Sequence, residues 1–162
     1  MTSKKLKAKL ADLRRMLTRQ FPTTRQLDEW SVGFDWVAGT IPFVCYAEIN
    51  PEMQGFVFRA IWQLPFAPDR RDVAAEYLHR VNYPVPVGGW AIDLDTGDVR
   101  WKSGLYFGDG DLTNELMFEV INSSFALIRQ HVIGLVKLSN GEPLAAALAV
   151  VGEDPGEGVI AG

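Results

Sequence analysis

The chain has 162 residues, 48% of them hydrophobic and 22% charged, a balance that fits one soluble domain with a real core. It has no run of about 18 apolar residues, which excludes a membrane-spanning helix, and its single cysteine, Cys45, excludes an intramolecular disulfide. The net charge of −4 conceals a division: residues 1–25 carry eight bases against Asp12 alone, while the remainder carries eight bases against nineteen acids.

From the N-terminus, residues 4–20 read as a helix, with Leu6, Leu10, Leu13 and Leu17 on one face, basic residues around them and Ser3 as cap. No long apolar block precedes it, so the start reads as a mature cytoplasmic helix rather than a secretory signal. Pro22 ends it. The period then changes from helical to alternating. In EWSVGFDWV, Trp30, Val32, Phe34 and Trp36 share one face of a strand. PFVCYAEI is a second strand, closed by the turn-rich NPEMQG. FVFRAIWQL is a third, with Phe56, Phe58, Ala60, Trp62 and Leu64 alternating. Short connections between them predict an antiparallel meander.

PFAPDRRDVAAEYLHRVN returns to helix, with Asp69 as its expected N-cap and Val73, Ala74, Tyr77, Leu78 and Val81 as its buried stripe. GGWAIDL and VRWKSGLYF are two further strands. A four-residue loop, Asp95 to Asp98, predicts a register with Leu94 opposite Val99, Ile92 opposite Trp101, Trp90 opposite Ser103 and Asp93 paired with Arg100. Thr113 caps the next helix, with Leu112 and Met117 as a staple. Leu116, Val120, Ile121, Leu127, Ile128, Val132 and Leu135 continue its stripe to about residue 138. PLAAALAVV is a short terminal helix. The prediction is one α+β domain over residues 1–151, in the order α-β-β-β-α-β-β-α plus that helix, and a disordered Gly-rich, acidic tail over 152–162.

No motif dictates a chemistry. Gly88 and Gly89 open a strand, whereas a phosphate loop needs its glycines before a helix N-terminus, followed by Lys-Ser or Lys-Thr. DLDTGD and GDGDLTNE miss the Gly and Glu positions of an EF-hand calcium loop. Asp95-Thr96-Gly97 matches the triplet of aspartic proteases, but it has no twin and is flanked by Asp93 and Asp98, which would repel a shared-proton dyad. A hydrolase built on the carboxylates between Asp93 and Asp111 requires three of them in one cleft. Cys45 sits among apolar neighbours and reads as buried and inert. His131 falls at helical spacing from Leu127, Ile128 and Leu135 and reads as a core-edge residue, while His79, beside Arg80, reads as solvated. One cysteine and two separated histidines give no zinc site of standard spacing.

RVNYPVPVGGWAIDLDTGDVRW, residues 80–101, carried on this element order, resembles the YbjN family of bacterial and cyanobacterial proteins. The match lies in a helix ending in Asn82, a connector with Pro84 and Gly88, a strand with Trp90, then Leu94-Asp95, a turn at Gly97 and Val99. It spans roughly residues 5–138. The resemblance implies a fold similar to type III secretion chaperones, which are dimeric α+β proteins without catalysis, and a regulatory role. It offers no catalytic residues to carry over. The basic first helix and the PLAAALAVV extension have no counterpart in it.

The functional expectation is a non-enzymatic, cytoplasmic adaptor, chaperone-like or regulatory, that binds a protein or peptide segment and forms a homodimer. It needs no cofactor. Five tryptophans are many for one small sheet, so Trp30, Trp36, Trp62, Trp90 and Trp101 are the candidate interaction surface. The alternative is a small-molecule-binding regulator with an aromatic pocket between sheet and helix. The basic first helix suits nucleic acid or anionic lipid, but the acidic body disfavours nucleic acid.

Overall fold

A computed structural model describes residues 1–156. The first helix, α1, spans Ser3–Gln20, and Thr2 rather than Ser3 caps it, because the Thr2 hydroxyl accepts from the Lys5 amide at 3.4 Å. Leu6, Leu10, Leu13 and Leu17 are fully buried, as their spacing requires.

The strands are β1 Arg25–Gln26, β2 Ser31–Ala38, β3 Ile41–Asn50, β4 Gly55–Trp62, β5 Gly89–Ile92 and β6 Val99–Tyr106. They make one antiparallel sheet in the order β1-β2-β3-β4-β6-β5. β1 is an addition to the expected order, too short to leave a period. β4 stops at Trp62. Leu64, expected to continue its buried face, is 53% exposed, because the following Pro65 lacks an N–H for a further rung.

The second helix, α2, spans Arg71–Asn82 and is entered through a 3₁₀ turn, Pro68–Arg70. Asp69 lies within that turn and makes no capping bond, so the expected N-cap is corrected. Arg70 instead reaches across to the end of the third helix, α3 (Asn114–Ser139), and donates to the carbonyls of Leu138 at 3.1 Å and Glu142 at 2.6 Å. α3 starts as expected, with the Thr113 hydroxyl accepting from the Leu116 amide and Leu112 and Met117 fully buried. Leu116 itself is exposed, since it lies about 100° round the helix from Met117. The fourth helix, α4, is Leu144–Ala149. Within the expected tail, the Gly152 amide donates to the Gln130 carbonyl at 2.8 Å and Arg129 pairs with Asp154, so residues 152–156 lie along α3. Residues 157–162 fall outside the described residues.

The helices cover one face of the sheet. Val32, Phe34, Phe43, Cys45, Ala47, Ile49, Phe56, Phe58, Ala60, Trp62, Val99 and Trp101 are buried beneath them. The opposite face carries Asp35, Val44, Tyr46, Glu48, Val57, Arg59, Ile61, Arg100 and Lys102, all half-buried or exposed. No described element lies over that face.

The β5–β6 hairpin corrects the expected register. Ile92 pairs with Val99, Trp90 with Trp101 and Ala91 with Arg100. The loop is therefore two residues longer than expected. A slip of two keeps every side chain on its face, so the apolar assignment survives, but Leu94 becomes exposed and Asp93 is not opposite Arg100.

Candidate functional site

The lengthened loop is held by Arg71. Its guanidinium donates to the carbonyls of Phe66 at 3.2 Å, Leu94 at 3.0 Å, Asp95 at 2.6 Å and Thr96 at 3.2 Å. Within the loop, Asp93 Oδ1 accepts from the amides of Asp95 and Thr96, and the Thr96 hydroxyl donates to Asp98. Gly97, at φ +82°, sits against the Phe66 carbonyl, where a Cβ has no room. The D-T-G triplet thus serves a turn, with its carboxylates spread over separate local bonds. Asp111, the far end of the acidic run, pairs with Lys5 at 3.2 Å. Among the described residues no group of three His, Cys, Asp or Glu side chains is placed to hold a metal ion.

Cys45 is fully buried, and burial, aided by the negative charge of Asp35, pushes its thiol well above the ordinary range. His131 is 4% exposed and accepts at Nδ1 from the Trp90 indole N–H at 3.1 Å, so the ring is neutral with its proton on Nε2. Burial lowers its pKa to about 4. His79 is exposed on α2.

The five tryptophans do not share a surface. Trp62, Trp90 and Trp101 are 2%, 5% and 0% exposed on the helix-covered face, so they fill the core. Trp36 is half-buried and stacks on Phe125 of α3 with centroids 4.0 Å apart. Trp30 is half-buried at the far end of β2, with the Lys7 ammonium 5.1 Å from its ring centre. Under α3 the sheet is filled by rings in mutual contact, Phe21, Phe34, Phe58 and Phe125 among them, while a hollow of about 290 Å³ lined by Phe21, Trp36 and Phe43 lies where the end of α1 meets β2 and β3.

The open face offers a different site. A concavity of about 360 Å³ lies over the ends of β3, β4 and β6, beside the connector that carries Val87 and Gly88. Gly55 and Gly104 give it a floor of bare backbone. At Gly104 a Cβ would meet the Phe56 carbonyl, so the two strands approach closely there. Arg59 and Glu48 form an ion pair at 2.7 Å on one side, and Lys102 beside them has no ion-pair partner among the described residues. Met53, Val87 and Tyr106 form an apolar rim, 57%, 61% and 75% exposed. Side chains of this size held in water at one site mark a contact surface more than a scattered exposed leucine does.

Asn82 shows which backbone groups are free there. Its carboxamide takes both the N–H of Trp90, at 2.8 Å, and the C=O, at 2.9 Å. Trp90 therefore turns its backbone away from β6, and by alternation Gly89 and Ala91 bond to Lys102 and Arg100. The same alternation aims the N–H and C=O of Gly104 and Tyr106 toward the β5 side. β5 does not reach them, because Gly88, at φ +85°, turns the chain away after the Pro84–Pro86 connector. The Phe107 amide, one residue on, donates to Gln54 on the β4 side, as this parity demands. β6 thus runs on past its neighbour with an open edge beside the concavity.

Sequence reasoning missed this site. Strand alternation sets Glu48, Arg59 and Lys102 opposite the aromatic face, a signal the sequence carried and that reasoning did not use. The open edge gave no such signal, because it depends on where β5 ends.

Neither family models nor curated protein sequences match the chain. The fold is shared with YbjN of E. coli. Its crystal structure superposes with a TM-score of 0.56 over 74% of this chain and 84% of that one, at 16% identity. That identity speaks for the fold alone, and at that level it agrees with the resemblance read from residues 80–101. No described helix is long and apolar enough to cross a membrane.

Proposed function

We propose that this protein is a non-enzymatic regulatory adaptor that recognises an extended peptide segment of a partner protein by strand addition to β6. The observation that carries this is the unpaired edge at Gly104 and Tyr106, set between the apolar rim of Met53, Val87 and Tyr106 and the cationic Lys102. Backbone bonds to the edge supply affinity, and alternate side chains of the guest supply specificity. Apolar residues meet the rim, and an acidic residue meets Lys102. A regulatory role agrees with the E. coli YbjN structure, whose protein is described as a proposed transcription regulator.

The test is selection of extended peptides from a displayed random library, followed by amide hydrogen exchange. Selected peptides are expected to be apolar with an acidic position and to slow exchange at Gly104 and Tyr106. Tyr106→Pro, which removes an edge N–H, abolishes binding, and Met53→Ala, at an exposed turn, weakens it without disturbing the fold. Protection confined to another surface, or full binding by Tyr106→Pro, overturns the proposal. Light scattering that shows a dimer protected at this same edge replaces the foreign peptide with a second copy of the chain.

A further inference from the structure

A second surface lies on the far side of the sheet edge and is independent of the peptide reading. Arg14, Arg15, Thr18 and Arg19 stand on the exposed side of α1, opposite its leucine stripe, and β1 brings Arg25 and Gln26 alongside, with Thr24 before them. They line an open cleft of about 530 Å³ in which four of the seven lining residues are arginines and none is acidic. Asp12 pairs with Arg15 and Asp35 with Arg25 at 3.7 Å, while Arg14 and Arg19 have no ion pair among the described residues. The hydroxyls of Thr18 and Thr24 are spent on the carbonyls of Arg14 and Phe21, at 2.8 and 2.6 Å. The available donors are therefore guanidinium groups.

Ordinary helix electrostatics does not account for this grouping. Arg19, in the last turn, suits the helix dipole. Arg14 and Arg15 lie mid-helix and Arg25 lies on a strand, and like charges gathered this closely repel one another. A multivalent anion relieves the repulsion, and the planar fork of arginine matches paired phosphate oxygens. The size of the anion is limited by what adjoins the cleft. Asp28 and Glu29 follow directly after Gln26 and Leu27, and with Glu48 and Glu52 they line the neighbouring hollow. A long polyanion that extends past Gln26 meets these acids. A short one does not.

We propose that this cleft binds a compact polyphosphate, a small molecule carrying two or more linked phosphoryl groups. Titration calorimetry at near-physiological salt tests it with orthophosphate, pyrophosphate, inorganic tripolyphosphate and a duplex DNA of about 20 base pairs, where exposed charges beyond about 8 Å are screened. Tripolyphosphate is expected to bind saturably and more tightly than pyrophosphate, with orthophosphate weakest. The double variant Arg14→Ser, Arg19→Ser lowers that affinity by about tenfold or more. The control Lys4→Ser, Lys9→Ser removes equal charge from the same helix outside the cleft and changes it by less than about twofold. Circular dichroism confirms that both variants keep their helices. Absence of saturable binding, equal losses in the two doubles, or tighter binding of the duplex than of tripolyphosphate each overturns the proposal. Because the cleft and the β6 edge share no residue, loss of one leaves the other intact.

Discussion

His131 is a single residue whose environment makes a measurable statement about stability. Held neutral by burial and by the Trp90 indole, it has a folded pKa near 4 against an ordinary 6.5. The unfolded chain therefore takes up a proton that the folded chain refuses. Above pH 6.5 both states are neutral at this ring and stability is indifferent to pH on its account. As pH falls from 6.5 towards 4 the unfolded state gains, and the loss of stability approaches about 3 kcal/mol. His131→Gln keeps an acceptor for the indole N–H but cannot titrate. Urea unfolding from pH 7.5 to pH 4 is expected to give a steeper fall for the native protein than for the variant, with the carboxylates common to both cancelling in the comparison. Parallel curves would show that the ring is not held neutral. Arg71 makes the complementary point. A fixed positive charge organises three carbonyls of a loop that, read along the chain, looks like a nest of acids, and ties that loop to the Phe66 carbonyl.

At the scale of the element, what the sequence disclosed depended on periodicity. Helices α1 and α3 and the buried faces of β3 and β4 follow from spacing, because each buries one face and leaves the other at least partly open, whereas the first half of β2 is buried on both faces. The hairpin of β5 and β6 was legible in face but not in register. Charge pairing between Asp93 and Arg100 favoured a short loop, and the carbonyl clamp from Arg71, more than twenty residues upstream, decided for a longer one. Asn82 acts at the same scale. By taking both backbone groups of Trp90 it stands in for a missing strand and closes the outer edge of β5. Asn82→Ala is expected to cost about 1–3 kcal/mol in urea unfolding, because it strips a partly buried N–H and C=O of their partner. Asn82→Asp keeps the acceptor for the Trp90 amide and loses the donor to its carbonyl, so it costs roughly half as much. Size-exclusion chromatography should show the alanine variant self-associating through the bared edge. An alanine variant as stable as the parent would mean that β5 is held by its side chains alone.

Across the whole molecule, no described element covers one face of the sheet, and the net charge is positive on α1 and negative over the remainder. The division was plain in the sequence. Its bearing on the fold was not, since charge pattern says nothing about whether α1 is an integral layer or an appendage. Among the described residues two ion pairs tie α1 to the rest, Lys5 to Asp111 at 3.2 Å and Lys7 to Glu29 at 2.6 Å, but all four side chains are well exposed. Exposed pairs of this kind contribute about 0–1 kcal/mol each. Leu13 and Leu17, with no exposed surface at all, contribute far more, since truncating a buried leucine to alanine costs about 2–5 kcal/mol. If α1 is held by its leucines, raising the salt to about 1 M, where the Debye length is about 3 Å, leaves the urea midpoint nearly unchanged. Leu13→Ala at low salt then lowers it by the equivalent of several kcal/mol, with a single cooperative transition in both proteins. If electrostatics held the helix, the order reverses: salt would release α1 as a separate early transition seen by circular dichroism, and Leu13→Ala would do little. The burial of the leucines decides for the first outcome, and it makes α1 a wall of the core whose outer face is free to carry arginines for another purpose.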